Sequence, residues 1–133
     1  VGGSVILADA AAFRALTAAR AIDTDSVSSG MAEVTLTDAT TVAWDMSSGV
    51  DFVVTLAGNR TLGNPTNTIV GKRGRIRVVQ DGTGTRTLAL SSNLKTAGGA
   101  GITLSTVAGT VDYLDYDCVS STNIRIALSK AWA

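Results

Sequence analysis

Three aspartates near the C-terminal end of the chain are the residues whose types and spacing could support chemistry. Asp112, Asp115 and Asp117 occur together in the segment VDYLDYDC. On an extended strand Asp115 and Asp117 point to the same face, because successive side chains alternate. Paired carboxylates can bind calcium or act as acid and base in glycoside hydrolysis. Alternation alone also gives a solvated face of acids opposite an apolar face, and this is the interpretation that we favour.

A basic cluster precedes these acids in the chain. Lys72, Arg73, Arg75 and Arg77 form the densest group of charges in the sequence. Such a cluster can grip phosphates or anionic sugars. The alternative is pairing across neighbouring strands with acids, including those between 112 and 117 if the strands adjoin. We expect this cross-strand pairing.

Several kinds of catalytic and metal site are excluded by residue type. The chain of 133 residues contains no histidine and one cysteine, Cys118, so Ser-His-Asp and Cys-His sites and Cys/His zinc motifs cannot form. Gly71 and Lys72 do not belong to a phosphate-binding loop, because Thr66 replaces its first glycine and Arg73 its Ser or Thr. We expect no enzyme activity, no cofactor and no metal site.

Composition limits the partners. Eleven basic and eleven acidic residues cancel, so the long-range positive field of a nucleic-acid-binding protein is missing. No apolar run reaches the roughly twenty residues that span a bilayer, and residues 1–12 lack the features of a signal peptide. We therefore expect neither nucleic-acid binding nor membrane insertion.

Residues 1–30 are predicted to form an N-terminal arm, a helix and a linker that serve attachment or oligomerisation. Alanine, leucine and arginine dominate residues 8–22, with Asp9 at the predicted helix start. The apolar stripe is narrow, so the helix must pack on its own β domain or on other copies. The residues predicted to serve attachment or oligomerisation are Val5, Ile6, Leu7, Phe13, Leu16, Ile22 and, at the other end of the chain, Trp132.

Residues 31–133 are predicted to form one β domain. Apolar residues alternate with polar ones from Met31 onward, and turn residues divide the segment into short strands. Residues 73–90 are predicted to be a β-hairpin around Asp81-Gly82-Thr83-Gly84. Strands this short indicate an all-β fold, a mainly antiparallel sandwich or barrel of jelly-roll-like type, with one N-terminal α-helix. No internal repeat is apparent.

Two aromatic residues and the cysteine have expected positions. Trp44 alternates with Val42 and Met46, so we expect it in the core. Trp132, next to the last residue, either inserts into a neighbouring surface or packs under its own sheet. Cys118 alternates with apolar residues and is expected to be a small buried side chain rather than a nucleophile.

Four segments together resemble a recurrent β module of tailed-bacteriophage virion proteins. They are VTLTDATTVAWD (34–45), VTLAGNRTLGNPTN (54–67), GKRGRIRVVQDGTGTRTLAL (71–90) and NIRIALSKAWA (123–133). The phrases GNRTLGNPTN and QDGTGTRTL are the most specific parts. Residues 11–16 also resemble linker segments of phage fibres.

This resemblance implies a non-enzymatic structural protein on the exterior of a virion, made in the host cytoplasm. The short chain favours a capsid decoration or cement protein, or a head fibre. The implied partners are copies of the chain itself, as a homotrimer, and the major capsid protein or other virion proteins. The alternative is a tail-fibre or spike module that recognises a host surface glycan through the loops at 59–67 and 91–101. A carboxylate-dependent glycan hydrolase is a third and less favoured hypothesis.

Overall fold

The computed structural model describes residues 31–132, and those from Ala32 onward belong to one compact unit. The predicted arm and helix, with Val5, Ile6, Leu7, Phe13, Leu16 and Ile22, lie outside the described residues. The described chain is rich in β-strands, as the sequence predicts. Its strands are β1 (Val34–Thr35), β2 (Thr41–Val42), β3 (Asp51–Leu56), β4 (Arg60–Leu62), β5 (Arg73–Gln80), β6 (Leu88–Leu90), β7 (Leu94–Lys95), β8 (Val111–Ser120) and β9 (Asn123–Trp132). Two 3₁₀ turns, Met46–Ser48 and Ala97–Gly99, are the helical segments within residues 32–132.

The strands form two sheets. The large sheet has six strands in the order β1-β3-β5-β8-β9-β7, and the small sheet has three in the order β2-β4-β6. The first seven strands alternate between the two sheets, so the chain coils back and forth across one core. From β1 to β6, each new coil pairs in parallel with the one before it, as Val34 with Phe52 in the large sheet and Thr41 with Thr61 in the small one.

The prediction of a mainly antiparallel, jelly-roll-like fold is wrong. Five of the seven strand pairs in the described chain are parallel, and only β5 with β8 and β8 with β9 are antiparallel. Alternation of apolar and polar residues has the same period in parallel and antiparallel strands, so the pattern did not distinguish them. The antiparallel β8–β9 hairpin inserts between β5 and β7 and closes the stack of coils.

The predicted hairpin at residues 73–90 is also wrong. β5 belongs to the large sheet and β6 to the small sheet, so the chain crosses the core between them. The side chain of Gln80 fixes this crossing. Its Nε2 donates to the carbonyl oxygens of Arg86 and Ser105 at 2.9 and 2.8 Å, and its Oε1 accepts from the Arg86 N–H at 2.9 Å. Gln80 is buried, and these bonds satisfy both ends of its amide.

One continuous core lies between the sheets. Trp44 is 3% exposed, and its ring packs edge-on against Phe52 and Tyr116 with centroids 5.5 and 5.2 Å apart. Its Nε1 donates to the carbonyl of Gly63 at 2.7 Å, so the indole N–H is satisfied. The predicted burial of Trp44 and Cys118 is confirmed. The other buried apolar residues include Val42, Met46, Val54, Leu56, Leu62, Ile76, Val78, Leu114, Ile124 and Ile126.

Among residues 31–132 there is no helix with the length and apolar character needed to cross a bilayer.

Candidate functional site: the outer face of the large sheet

A trough lies on the outer face of the large sheet. Its volume is about 1010 Å³, and strands β3, β5, β8 and β9 supply its floor, with β7 and the turn after it along one side. We call it the outer trough. Its charged lining residues are Asp51, Arg73, Arg75, Lys95, Asp115, Asp117 and Arg125.

Strand alternation places these charges outward. In β5, Ile76 and Val78 point into the core, which leaves Arg75 and Arg77 on the solvent side. In β8, Leu114 is buried in the core while Asp115 is exposed. The charges then line up across the sheet in rows, because residues in register on neighbouring strands share a face.

Two rows cross the floor of the outer trough. In the first row Asp51 of β3 pairs with Arg75 of β5, which pairs with Asp115 of β8. The second row, which we call the cationic row, runs Arg73, Asp117, Arg125 and Lys95 across β5, β8, β9 and β7. The predicted cross-strand arrangement of the basic cluster against the acids of β8 is therefore confirmed for Arg73 and Arg75.

The ion pair within the cationic row is weak. The Nε of Arg73 lies 3.6 Å from Oδ1 of Asp117, and the Arg73 side chain is 80% exposed. An ion pair this exposed contributes between zero and about 1 kcal/mol to stability. The pair leaves both groups accessible from the trough.

The four side chains of the predicted basic cluster do not lie together at one site. The guanidinium of Arg77 forms two hydrogen bonds with the Glu33 carboxylate, at 2.9 and 2.7 Å. These bonds raise the pKa of Arg77 and lower the pKa of Glu33. The ammonium group of Lys72 donates to the carbonyl oxygens of Met46 and Gly49, away from the trough. Only Arg73 and Arg75 of the four line the trough.

The prediction that all three aspartates of β8 are solvated is wrong for Asp112. Asp112 is 2% exposed and lies on the same face as Leu114. Its carboxylate accepts from the backbone N–H of Ser105 at 2.6 Å and of Ala131 at 2.8 Å. Asp112 is thus a structural acceptor that ties the end of β9 to the segment before β8, and it does not reach Asp115 and Asp117 on the outer face.

A second depression adjoins the outer trough, and we call it the aromatic shelf after its two rings, Tyr113 and Trp132. Trp132 is 57% exposed and packs edge-on against Tyr113, with ring centroids 6.4 Å apart. Its Nε1 donates to Ser129 Oγ at 2.9 Å. The Arg75 guanidinium lies 5.4 Å from the Tyr113 ring centroid, within range of a cation–π interaction. Arg75 and Asp115 line both the trough and the shelf, so the two depressions are contiguous.

Trp132 therefore lies on the outer face of its own sheet. The sequence left open whether it would tuck under that sheet or insert into a neighbour. Its side chain is accessible to a partner, and its role in attachment stays a prediction.

The two loops predicted to bind glycan differ in position. In the loop at 91–101, β7 and the 3₁₀ turn Ala97–Gly99 give regular structure where the sequence indicated a loose, glycine-rich segment. Lys95, Thr96 and Ala97 from it form one side of the outer trough. The loop at 59–67 does not line the trough. It supports the other loop through Asn64, whose side chain accepts from the Asn93 N–H at 2.9 Å.

The remaining candidates for chemistry are structural. Burial raises the pKa of the Cys118 thiol, which disfavours the thiolate that a nucleophile requires. Among the described residues no three acidic or cysteine side chains cluster in a way that could hold a metal ion. Asp115 and Asp117 share a face as predicted.

Comparisons of the chain with protein-family models, with curated proteins and with solved structures gave no match.

Proposed function

We propose that the chain is a non-enzymatic structural protein of a tailed-phage virion, a small oligomeric β module mounted on the particle exterior as a capsid decoration protein or head fibre. The proposal begins from the sequence resemblance, carried most specifically by residues 58–67 and 80–88. A module of this kind works by burying surface against copies of itself and against the particle. Such a module therefore needs an exposed surface that suits contact with another protein.

A group of exposed apolar side chains at one end of the large sheet carries the proposal. Ile69 and Val70 lie in the turn before β5 and are 44% and 70% exposed. This turn is held against the end of β8, because the Gly71 N–H donates to the Cys118 carbonyl at 2.7 Å. Val119, the next residue of β8, is also exposed. Exposed apolar groups that adjoin one another favour a protein interface.

The test measures the mass of the purified full chain in solution by sedimentation equilibrium. We expect a trimer, and we expect Val70→Asp to dissociate it, because a carboxylate would lose its hydration in the interface. Val107→Asp is the matched control, since Val107 is as exposed as Val70 but precedes the opposite end of β8. A monomeric wild-type chain at high concentration would contradict the oligomeric proposal.

A second experiment tests the location. Purified particles should contain the chain at a fixed number of copies for each capsomer, and the free chain should bind to heads that lack it. A chain recovered only from the host cell, and absent from purified particles, would contradict the virion role.

The alternative function is a tail-fibre or spike module that binds a host surface glycan. The outer trough and the exposed Trp132 of the contiguous aromatic shelf favour it, since glycan sites commonly present planar rings to solvent. This alternative predicts saturable binding of the free chain to host cells and inhibition of infection by it. A decoration protein predicts neither.

A further inference from the structure

We propose that the outer trough binds an oligosaccharide that carries an anionic group, with the anion on the cationic row and the sugar chain extending to the aromatic shelf. The proposal deepens the glycan-binding alternative, on which it rests. It assigns the chemical class of the ligand and the residues that contact it.

The cationic row contains three positive side chains and one negative one. Lys95 and Arg125 are direct register partners on adjacent parallel strands, so both side chains lie on the outer face. The Lys95 ammonium also donates to the carbonyl oxygen of Ser92, a neutral partner that leaves its charge uncompensated. Like charges in directly opposed positions destabilise a sheet. Asp117 is the acid of the row, and its ion-pair contact is with Arg73. Among residues 31–132, neither Lys95 nor Arg125 has a carboxylate within ion-pair distance.

A bound anion resolves this imbalance. A carboxylate or phosphate between Lys95 and Arg125 would turn the repulsion of two cations into two favourable contacts. The guanidinium of Arg125 has the planar pair of donors that recognises such groups through two hydrogen bonds. Asn123 and Thr96 add neutral polar groups beside it in the lining of the trough.

The middle of the trough is unsuited to a continuous polyanion. Asp51 and Asp115 lie on either side of Arg75 in the first row. Their carboxylates would repel a ligand that carries a charge at every unit, such as a nucleic acid. The same carboxylates are good acceptors for hydroxyl groups. The charges thus favour a chain of hydroxyl-bearing units with its anionic group at one end.

The aromatic shelf supplies the other end of the site. From Asp117 to Val111, which is in register with Trp132, the distance along β8 is about 20 Å at the usual rise per residue. The exposed indole of Trp132 offers an apolar face on which a sugar ring can stack. A ligand that reaches both the cationic row and Trp132 therefore has several sugar units.

The test titrates the purified full chain with defined tetrasaccharides by calorimetry. The probes are tetragalacturonic acid with one terminal carboxylate free and the other three methyl-esterified, fully esterified tetragalacturonate that carries one terminal phosphate, and fully esterified tetragalacturonate as the uncharged control. We expect at least one of the two anionic probes to bind and the uncharged control to bind about tenfold more weakly, the usual effect of losing one charged hydrogen bond. Whichever anionic probe binds more tightly distinguishes a carboxylate from a phosphate ligand. Equal binding of all three probes, or of none, would overturn the proposal.

Variants locate the site. Lys95→Gln and Arg125→Gln should each weaken binding of the anionic probe about tenfold, and Trp132→Ala should weaken it several-fold. Lys130→Gln is the charge-matched control, because Lys130 is an exposed cation of β9 outside the trough. Melting temperatures close to that of the wild type would show that the variants fold. An equal loss in Lys130→Gln would mean that net charge alone drives binding, and the site would be rejected.

The outcomes also separate this proposal from the glycan-receptor function. Tight binding of a probe by a chain that does not bind host cells would leave the site in place and reject the receptor role. Saturable cell binding that Lys95→Gln and Arg125→Gln leave unchanged would support the receptor role and reject the anion site in the trough.

Discussion

The hydroxyl of Tyr116 donates a hydrogen bond of 2.6 Å to the backbone carbonyl of Val50, and this contact occupies the space beside Gly74. Gly74 is the register partner of Tyr116 on β5. A Cβ atom at Gly74 would lie 2.1 Å from the Val50 oxygen and 2.7 Å from the Tyr116 oxygen. Burial raises the pKa of Tyr116 to about 12, so its hydroxyl stays protonated and remains a donor at neutral pH.

Gly74→Ala should therefore destabilise the domain. The added methyl group has to displace the Val50 carbonyl or the Tyr116 ring, and overpacking of this kind costs about 1–3 kcal/mol. The measurement is the midpoint of denaturant unfolding. Gly82→Ala is the control, because a Cβ at Gly82 meets no atom within 4 Å. Equal midpoints for the two variants would show that the Val50 carbonyl or the Tyr116 ring can move away from residue 74 at no cost.

Truncation of the two tryptophans should affect stability by very different amounts. Trp44→Ala removes a buried ring that contacts Phe52 and Tyr116, and it should lower the free energy of unfolding by roughly 3–5 kcal/mol. Trp132→Ala removes a ring that is 57% exposed, and it should change the free energy by less than about 0.5 kcal/mol. Thermal or denaturant unfolding measures both. A large loss in Trp132→Ala would mean that this residue supports the fold rather than a surface.

The faces of the strands could be predicted from the sequence, but their partners could not. Alternation in β3 correctly places Phe52, Val54 and Leu56 in the core. It carries no information on whether a strand pairs in parallel or antiparallel fashion. The coils are also unequal, since Val34 pairs with Phe52 but Phe52 pairs with Ile76. Because the coils differ in length, the sequence contains no regular repeat that would reveal them.

The candidate site was predicted in part. Alternation anticipated that Arg73 and Arg75 would face acids of β8, because cross-strand neighbours of opposite charge are favourable. Lys95 was missed, because the glycines around it indicated a loop and its strand has only two residues. The sequence did indicate that Asp112 is buried, since strict alternation along the strand puts it on the same face as Leu114. A carboxylate in that position needs backbone donors from distant segments, which a local pattern does not reveal.

The pH dependence of stability should show the effect of Asp81. Its carboxylate accepts from Arg86 and from the N–H groups of Gly84 and Thr83. The Arg86 hydrogen bonds, followed by the Gly84 N–H, lower the pKa of Asp81 from 3.8 to about 2. Because the folded pKa lies below the unfolded one, this contribution is complete above the unfolded pKa and is lost as the pH falls to about 2.

Substitution of Asp81 tests this assignment. Asp81→Asn should lower stability at neutral pH and make the fall of stability between about pH 4 and pH 2 less steep. Arg86→Gln should reduce the same slope, and the double variant should add little, since both remove one interaction. Urea unfolding at a series of pH values provides the data. An unaltered acid slope in Asp81→Asn would assign the acid sensitivity to other carboxylates, such as Glu33 and Asp38, whose pKa values are also lowered.

Asp112 should be the aspartate of β8 on which stability depends most. Asp112→Ala leaves the N–H groups of Ser105 and Ala131 without their acceptor, and the loss of each of these part-buried hydrogen bonds to a carboxylate should cost about 1–3 kcal/mol. Asp112→Asn keeps one acceptor oxygen, so its loss should be smaller. Asp115→Asn is the control on the solvent side of the same strand and should stay within about 0.5 kcal/mol of the wild type.

Hydrogen exchange gives a residue-specific measurement of the same prediction. In Asp112→Ala the amide protons of Ser105 and Ala131 should exchange much faster relative to the core amides of β8, because their bonds to the carboxylate are gone. Ala131 precedes Trp132, so the loss of its hydrogen bond should also loosen the backbone that holds Trp132. Unchanged exchange at both amides would mean that the carboxylate is not their acceptor. Trp132 would then be positioned by its register pairing with Val111 and its contacts with Tyr113 and Ser129.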